Sequence, residues 1–216
     1  MSSRRQMLEF LSLSRLPSDY QEVEYIESSG AQYIDTGYVA YGDIEVICNA
    51  LGTANNSSAL YGARKSSESS DFNTRITMFQ RDDNGYQRIS PQFSTNTANS
   101  YTTQYSDFIE TKLNKNGCYV NGSSVVSYSG TETITPNCNF LIFTFNEGGT
   151  PDSRYFIGKL KYLSIKKSGN LVRNFVPCYR KIDNVIGLYD LVGKQFYTNA
   201  GTGIFTKGND VLWLEK

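Results

Sequence analysis

The sequence predicts an all-β protein, a two-sheet sandwich or jelly roll, and three observations carry that prediction. About a dozen short segments alternate apolar and polar residues with period two, the signature of half-buried strands. Turn signals separate them at close intervals, among them Asp82-Asp83-Asn84-Gly85, Asn116-Gly117 and Asn121-Gly122. The composition agrees: 16 Tyr, 12 Phe and 18 Gly stand beside only 19% charged residues in 216. That balance suits a loop-rich β domain better than a helical one.

The elements follow in order. Residues 1–17, MSSRRQMLEFLSLSRLP, stand apart from the rest. Met7, Leu8 and Leu11 recur at helical spacing with Phe10 and Leu13 alongside, and Pro17 ends the run. Arg4 and Arg5 head it, but Glu9 interrupts the apolar stretch and no small-x-small cleavage site follows, so it is not read as a signal peptide. A dozen residues rarely hold a helix alone in water, so an apolar, basic-headed terminus suggests docking. Its target is a partner, through Arg4, Arg5, Met7, Leu8, Phe10 and Leu11, or the chain's own domain, 18–216.

After Pro17 the period switches to two. Val23–Glu27, Gln32–Thr36, Asp43–Leu51, Ala59–Arg64 and Arg75–Phe79 read as strands. Residues 94–106 are rich in Ser, Thr, Asn and Gln and read as a long exposed loop. Phe108–Leu113, Cys118–Val120 and Ser124–Val126 follow, joined by the two Asn-Gly turns. Tyr155–Ile165, Leu171–Pro177, Ile186–Leu191 and Gln195–Thr198 form the best-patterned part. Val211–Leu214, which includes the only Trp at 213, reads as a final core strand, with a second sticky end as the alternative. The longest apolar run, Phe140–Phe145, is far short of the ~18 residues of a membrane span.

LPSDYQEVEYIESSGAQYIDTGY at 16–38 and NFVPCYRKIDNVIGLYDLVGKQFYTNAGTGIFTKG at 174–208 resemble a concanavalin A-like, laminin-G-like domain family. FIGKLKYLSI at 156–165 resembles that family's penultimate strand. The resemblance covers roughly 17–208 and implies a two-sheet antiparallel jelly-roll sandwich whose relatives often bind carbohydrate. The leader before LPSDYQEVEYI is similar to that of phage-encoded members. It implies a non-enzymatic virion structural or decoration protein, made in the host bacterial cytoplasm and displayed on the particle. Other capsid or tail proteins would hold residues 1–17, and symmetric sites would favour a homo-oligomer. The alternative it implies is a carbohydrate-binding adhesin or lectin that meets host or mucosal glycans.

Composition narrows the chemistry. With no histidine, Ser-His-Asp triads, Cys-His pairs and His metal clusters are excluded. Equal numbers of acidic and basic residues, 21 each, argue against nucleic acid or an anionic membrane as partner. The catalytic Glu-x-Asp-x-Glu strand of hydrolases with this fold is missing. Glu22, Glu24 and Glu27 come nearest, lack the central Asp, and read as a solvated strand edge. No cofactor is expected. Calcium would need oxygens from Asp35, Asp43, Asp82, Asp83, Asp152 or Asp190, which turn capping explains singly. Cys48, Cys118, Cys138 and Cys178 form no CxxC and read as buried free thiols, two disulfides being the open alternative. For a glycan the candidate contacts are Tyr61, Tyr86, Tyr101, Tyr105 and Tyr119, aromatics in polar surroundings; strand packing is the competing explanation for each.

Overall fold

The computed structural model describes residues 14–53, 58–65, 75–82, 87–97, 101–103, 107–131 and 133–212. Among them every regular element is a strand. The first part of the chain forms β1 (Tyr20–Glu22), β2 (Ile26–Ser29), β3 (Ile34–Asp35), β4 (Ile44–Gly52) and β5 (Ser58–Arg64). β6 (Arg75–Asp82), β7 (Gln87–Phe93), β8 (Asn96–Thr97) and β9 (Tyr101–Thr103) follow. β10 (Ile109–Asn114), β11 (Gly117–Val120) and β12 (Ser123–Ser127) make a meander whose turns are the two predicted Asn-Gly pairs. Asn121, at φ 47°, and Gly122, at φ 80°, both take the positive φ that a tight hairpin turn requires. Then come β13 (Leu141–Ile142), β14 (Asn146–Glu147), β15 (Thr150–Pro151), β16 (Ile157–Lys167) and β17 (Asn170–Arg180). β18 (Val185–Asp190), β19 (Gln195–Thr198) and β20 (Thr206–Lys207) complete the set.

Two sheets result. One runs β12-β11-β10-β4-β16-β17-β18-β19, with β1 on β17 and the β2–β20 pair on the first half of β16. The other runs β15-β14-β5-β6-β7-β8, with β13, β3 and β9 attached. Strict alternation in β4 sends Ile44, Val46, Cys48 and Ala50 inward, where they meet Leu60, Tyr61, Ile76 and Met78 from the second sheet. The sandwich is therefore shown. Two pairings among the described residues depart from the antiparallel expectation, since β14 runs parallel to β5 and an isolated bridge joins Ala59 to Tyr155 in the parallel sense.

Other expectations are corrected. Residues 94–106 are not one loop: β8 and β9 both pair with β7, because backbone hydrogen bonds serve a short polar strand as well as an apolar one. β7 itself escapes the pattern through Pro91, yet Ile89, Pro91 and Phe93 all point inward. β8 pairs with Gln92 and Phe93 and β9 with Gln87 to Ile89, so Pro91 falls in the gap between them. Val211 and Leu212 make no final core strand. Val211 is tied to Glu22 and Gln21, while Leu212 is 79% exposed; residues 213–214 lie outside the described residues. All four cysteines are free and buried, which decides against disulfides.

Candidate functional site

The outer faces of the two sheets are covered unevenly. Over β5 and β6, Phe145 packs on Ala59 and Phe79, and Arg154 stacks 5.0 Å from both phenyl rings. Over β17, β18 and β19, Leu16 and Tyr20 close a second apolar cluster with Val176, Cys178, Tyr189 and Phe196. The expanse of β10, β4 and β16 has no such cover among the described residues.

Its side chains form rows because strand register is exact. Glu110 lies opposite Asn49, and Asn49 opposite Tyr162. The next row holds Tyr119, Lys112, Ile47 and Ser164. On the other side Leu51 faces Lys159. Beyond the second row, Glu45 accepts from Asn114 at 2.9 Å and from Lys166 at 3.1 Å. Rows are spaced two residues apart, about 6.6 Å at strand rise.

A bulge in β16 shapes the centre. Leu160 pairs with Ala50 and Tyr162 with Asn49, so Lys161 is the extra residue. A bulge turns two neighbouring side chains to one face. Lys161 and Tyr162 consequently stand side by side outside, while Leu160 and Leu163 both stay in the core. The Tyr162 hydroxyl donates to Glu110 Oε2 in a short hydrogen bond. Burial, then the hydrogen bond and charge of Glu110, push that hydroxyl well above the ordinary tyrosine range. Asn49 Oδ1, in the middle of the row, is buried with no hydrogen-bond partner.

Three lysines lie over three aromatic rings around this row. Lys112 Nζ is 4.0 Å from the Tyr119 centroid, Lys161 4.1 Å from Phe108 and Lys159 4.7 Å from Tyr25. Tyr25 and Phe108 are themselves neighbours, 5.9 Å apart. None of these three lysines forms an ion pair with a described residue.

The sequence candidates are scattered by comparison. Tyr61 is fully buried and stacks on Phe140 at 5.4 Å, so it presents no face to a ligand; its strand packs against the other sheet on that side. Tyr86 and Tyr105 lie outside the described residues, as do Arg4, Arg5, Met7, Leu8, Phe10 and Leu11. Tyr101 lies in β9, where its backbone pairs with Ile89. Of the candidates whose side chains are described, Tyr61 and Tyr119, only Tyr119 joins the open face. Sequence reasoning missed Asn49, Glu110, Lys112, Lys161 and Tyr162. The signal within reach was Leu160-Lys161-Tyr162-Leu163, where two residues between inward leucines break the alternation.

The acidic candidates are occupied. Glu22, expected on a solvated edge, is 5% exposed and held by Arg15 Nε at 3.0 Å. Asp35, Asp152 and Asp190 accept from backbone N–H groups of turns, and Asp43 pairs with Lys115. The Asp82 side chain and Asp83 lie outside the described residues. Among the described residues no group of three or more His, Cys, Asp or Glu could hold a metal ion.

No family model matches the sequence, and no curated protein matches it. Among solved structures, the heptameric SAP-like pentraxin from Limulus polyphemus is similar at 14% identity and TM-score 0.47, over 67% of this chain and 76% of that one. A "putative carbohydrate binding protein" from Bacteroides ovatus is similar at 13% identity and TM-score 0.53. That likeness covers 89% of this chain, which spans 62% of the longer neighbour. At such identity the likeness is one of architecture, and it agrees with the jelly-roll sandwich described above.

Proposed function

We propose that this protein is a non-enzymatic carbohydrate-binding module and that the open face of β10, β4 and β16 is its binding surface. The observation that carries the reading is the Glu110–Asn49–Tyr162 row set between aromatic rings on a part of the sheet that no described residue covers. Sugars offer C–H faces to aromatic rings and hydroxyls to carboxylates and amides. Glu110 accepts hydroxyl protons. Asn49 Oδ1 is an acceptor for which no described residue supplies a donor, and a buried orphan of this kind costs about 1–3 kcal/mol. A ligand hydroxyl that reached it would recover part of that cost. The lysines over Tyr119, Phe108 and Tyr25 sit on flexible stems and swing aside to bare the rings. The Bacteroides ovatus neighbour lends the same reading support.

Hydrolysis fits the face poorly. A glycosidase pair stands about 5–9.5 Å apart. Glu45 lies four residues along β4 from Asn49, the partner of Glu110, roughly 13 Å at strand rise. Glu45 is also engaged by Asn114 and Lys166.

A broad glycan array is the test, with Tyr119→Ala and Tyr162→Phe as variants. Binding to a defined glycan class, weakened about tenfold by either variant, is expected. A flat array, with and without calcium, overturns the reading. The virion setting implied by the leader is a separate proposal, carried by residues 1–17 and tested by counting copies of the chain per purified phage particle.

A further inference from the structure

Around the carboxylate of Glu110 stand Lys112, Lys159 and Lys161, each with an aromatic ring beneath it and none in an ion pair with a described residue, although Glu27 lies opposite Lys159 and Glu45 lies beyond the second row. Other cations are paired, among them Arg64 with Glu147, Lys115 with Asp43, Arg154 with Asp152, Lys166 with Glu45, Arg180 with Asp183 and Lys207 with Asp210, while Lys167 lies over Tyr41 and Lys181 and Lys194 form no ion pair with a described residue. Glu27, although opposite Lys159 across the β2–β16 ladder, accepts from Thr206 Oγ1 rather than forming an ion pair with that lysine. Lys161 is there only because β16 carries a bulge, which costs ladder pairing and needs a return.

The three ammonium groups are also spread out. Lys159 lies in the Leu51 row and Lys112 in the Ile47 row, two rows apart and on strands to either side of β4. Along the strands alone that is about 13 Å. Such a spread suits a chain with repeated charges rather than one small anion.

We infer that the ligand is an acidic oligosaccharide whose charges are uronate carboxylates, bound along the Lys159–Lys161–Lys112 line. This inference rests on the carbohydrate-binding reading of the same face. Each sugar ring would stack on Tyr119, Phe108 or Tyr25 while its carboxylate takes the ammonium group displaced from that ring. Glu110 decides between acidic classes. A uronate carries one charge per sugar and leaves its hydroxyls free to donate to Glu110. A heavily sulfated glycan brings several charges per sugar and sets them against that carboxylate.

The test uses the full chain and polymers of known charge. Polygalacturonate, alginate and hyaluronate are each paired with their carboxyl-reduced form, which keeps the backbone and removes the charge; heparin supplies the sulfated arm. The expected result is binding to at least one uronate polymer, weakened about tenfold or more by carboxyl reduction and by rising salt. Lys112→Gln and Lys161→Gln should each weaken it several-fold, with thermal unfolding showing that the variants fold. The neutral form should lose nothing further in these variants. Equal affinity for reduced and native polymers, or binding to neutral glycans alone, overturns the uronate assignment and leaves the carbohydrate-binding reading standing. Tighter binding to heparin than to every uronate also overturns it. Loss of all glycan binding overturns both.

Discussion

Cys118 and Cys178 carry thiols that burial pushes up to about 12 from the ordinary 9.0, and Cys48, fully buried, is raised as well. A thiol held neutral in this way is a poor nucleophile, since the thiolate is the reactive form. The native protein should therefore react slowly with a thiol reagent near about pH 8, and all four cysteines should react at once in denaturant. Fast stoichiometric labelling of the native chain would show that the thiols are not held inside. The same shift sets a direction for stability. Between 9.0 and about 12 the unfolded chain has lost these protons while the folded chain keeps them. The thiols' contribution is fully present below the lower value and is lost as pH rises through the upper one, so urea midpoints should fall across that window. Cysteine placement was legible from the apolar alternation around Cys48. The role of a single tyrosine was not, since Tyr61 and Tyr119 sit in similar polar text and point to opposite sides of their sheets.

At the scale of the element, β16 is both the best-patterned strand and the one with the most consequences. It pairs with β4 along its whole length and divides its other edge between β2 and β17. Gly158 makes the crowded end of that division workable. Its φ is +151°, and a Cβ there would stand 2.2 Å from the carbonyl oxygen of Leu51 and 2.9 Å from the Phe156 ring. Gly158→Ala should destabilise the fold by about 1–3 kcal/mol or more, read as a lower midpoint in denaturant. An unchanged midpoint would mean that the β4–β16 ladder gives way there without cost. Strand existence was legible throughout this region because period two is a local property. The bulge at Lys161 and the short strands β8, β9, β13, β14 and β15 were not predicted. Two or three residues carry no period, and their pairing is a matter of what lies beside them.

At the scale of the molecule, the described end of the leader belongs to the sandwich. Leu16 is 6% exposed among Val176, Cys178 and Tyr189, and Arg15 holds Glu22. Two truncations separate anchoring from folding. Removal of residues 1–13 keeps Arg15 and Leu16 in place, so any role of those thirteen residues in particle assembly would show as lost incorporation. Removal of 1–16 should cost a further 2 kcal/mol or so, about the burial of one leucine plus the buried Glu22 pairing. Equal midpoints for both would mean that Leu16 stabilises nothing.

What the amino-acid sequence determined unaided is the class of structure and the chemistry it excludes. Period-two text dictates strands and sends alternate side chains in and out, and the absence of histidine removes whole families of catalysts whatever the fold. What only the tertiary structure decided is which outward side chains share a face. Glu110 and Tyr162 are 52 residues apart in the chain, and Asn49 lies farther still from both. They meet because β10 and β16 choose the two edges of β4. That choice follows from how the whole apolar surface is best buried between two sheets, a property no single segment contains.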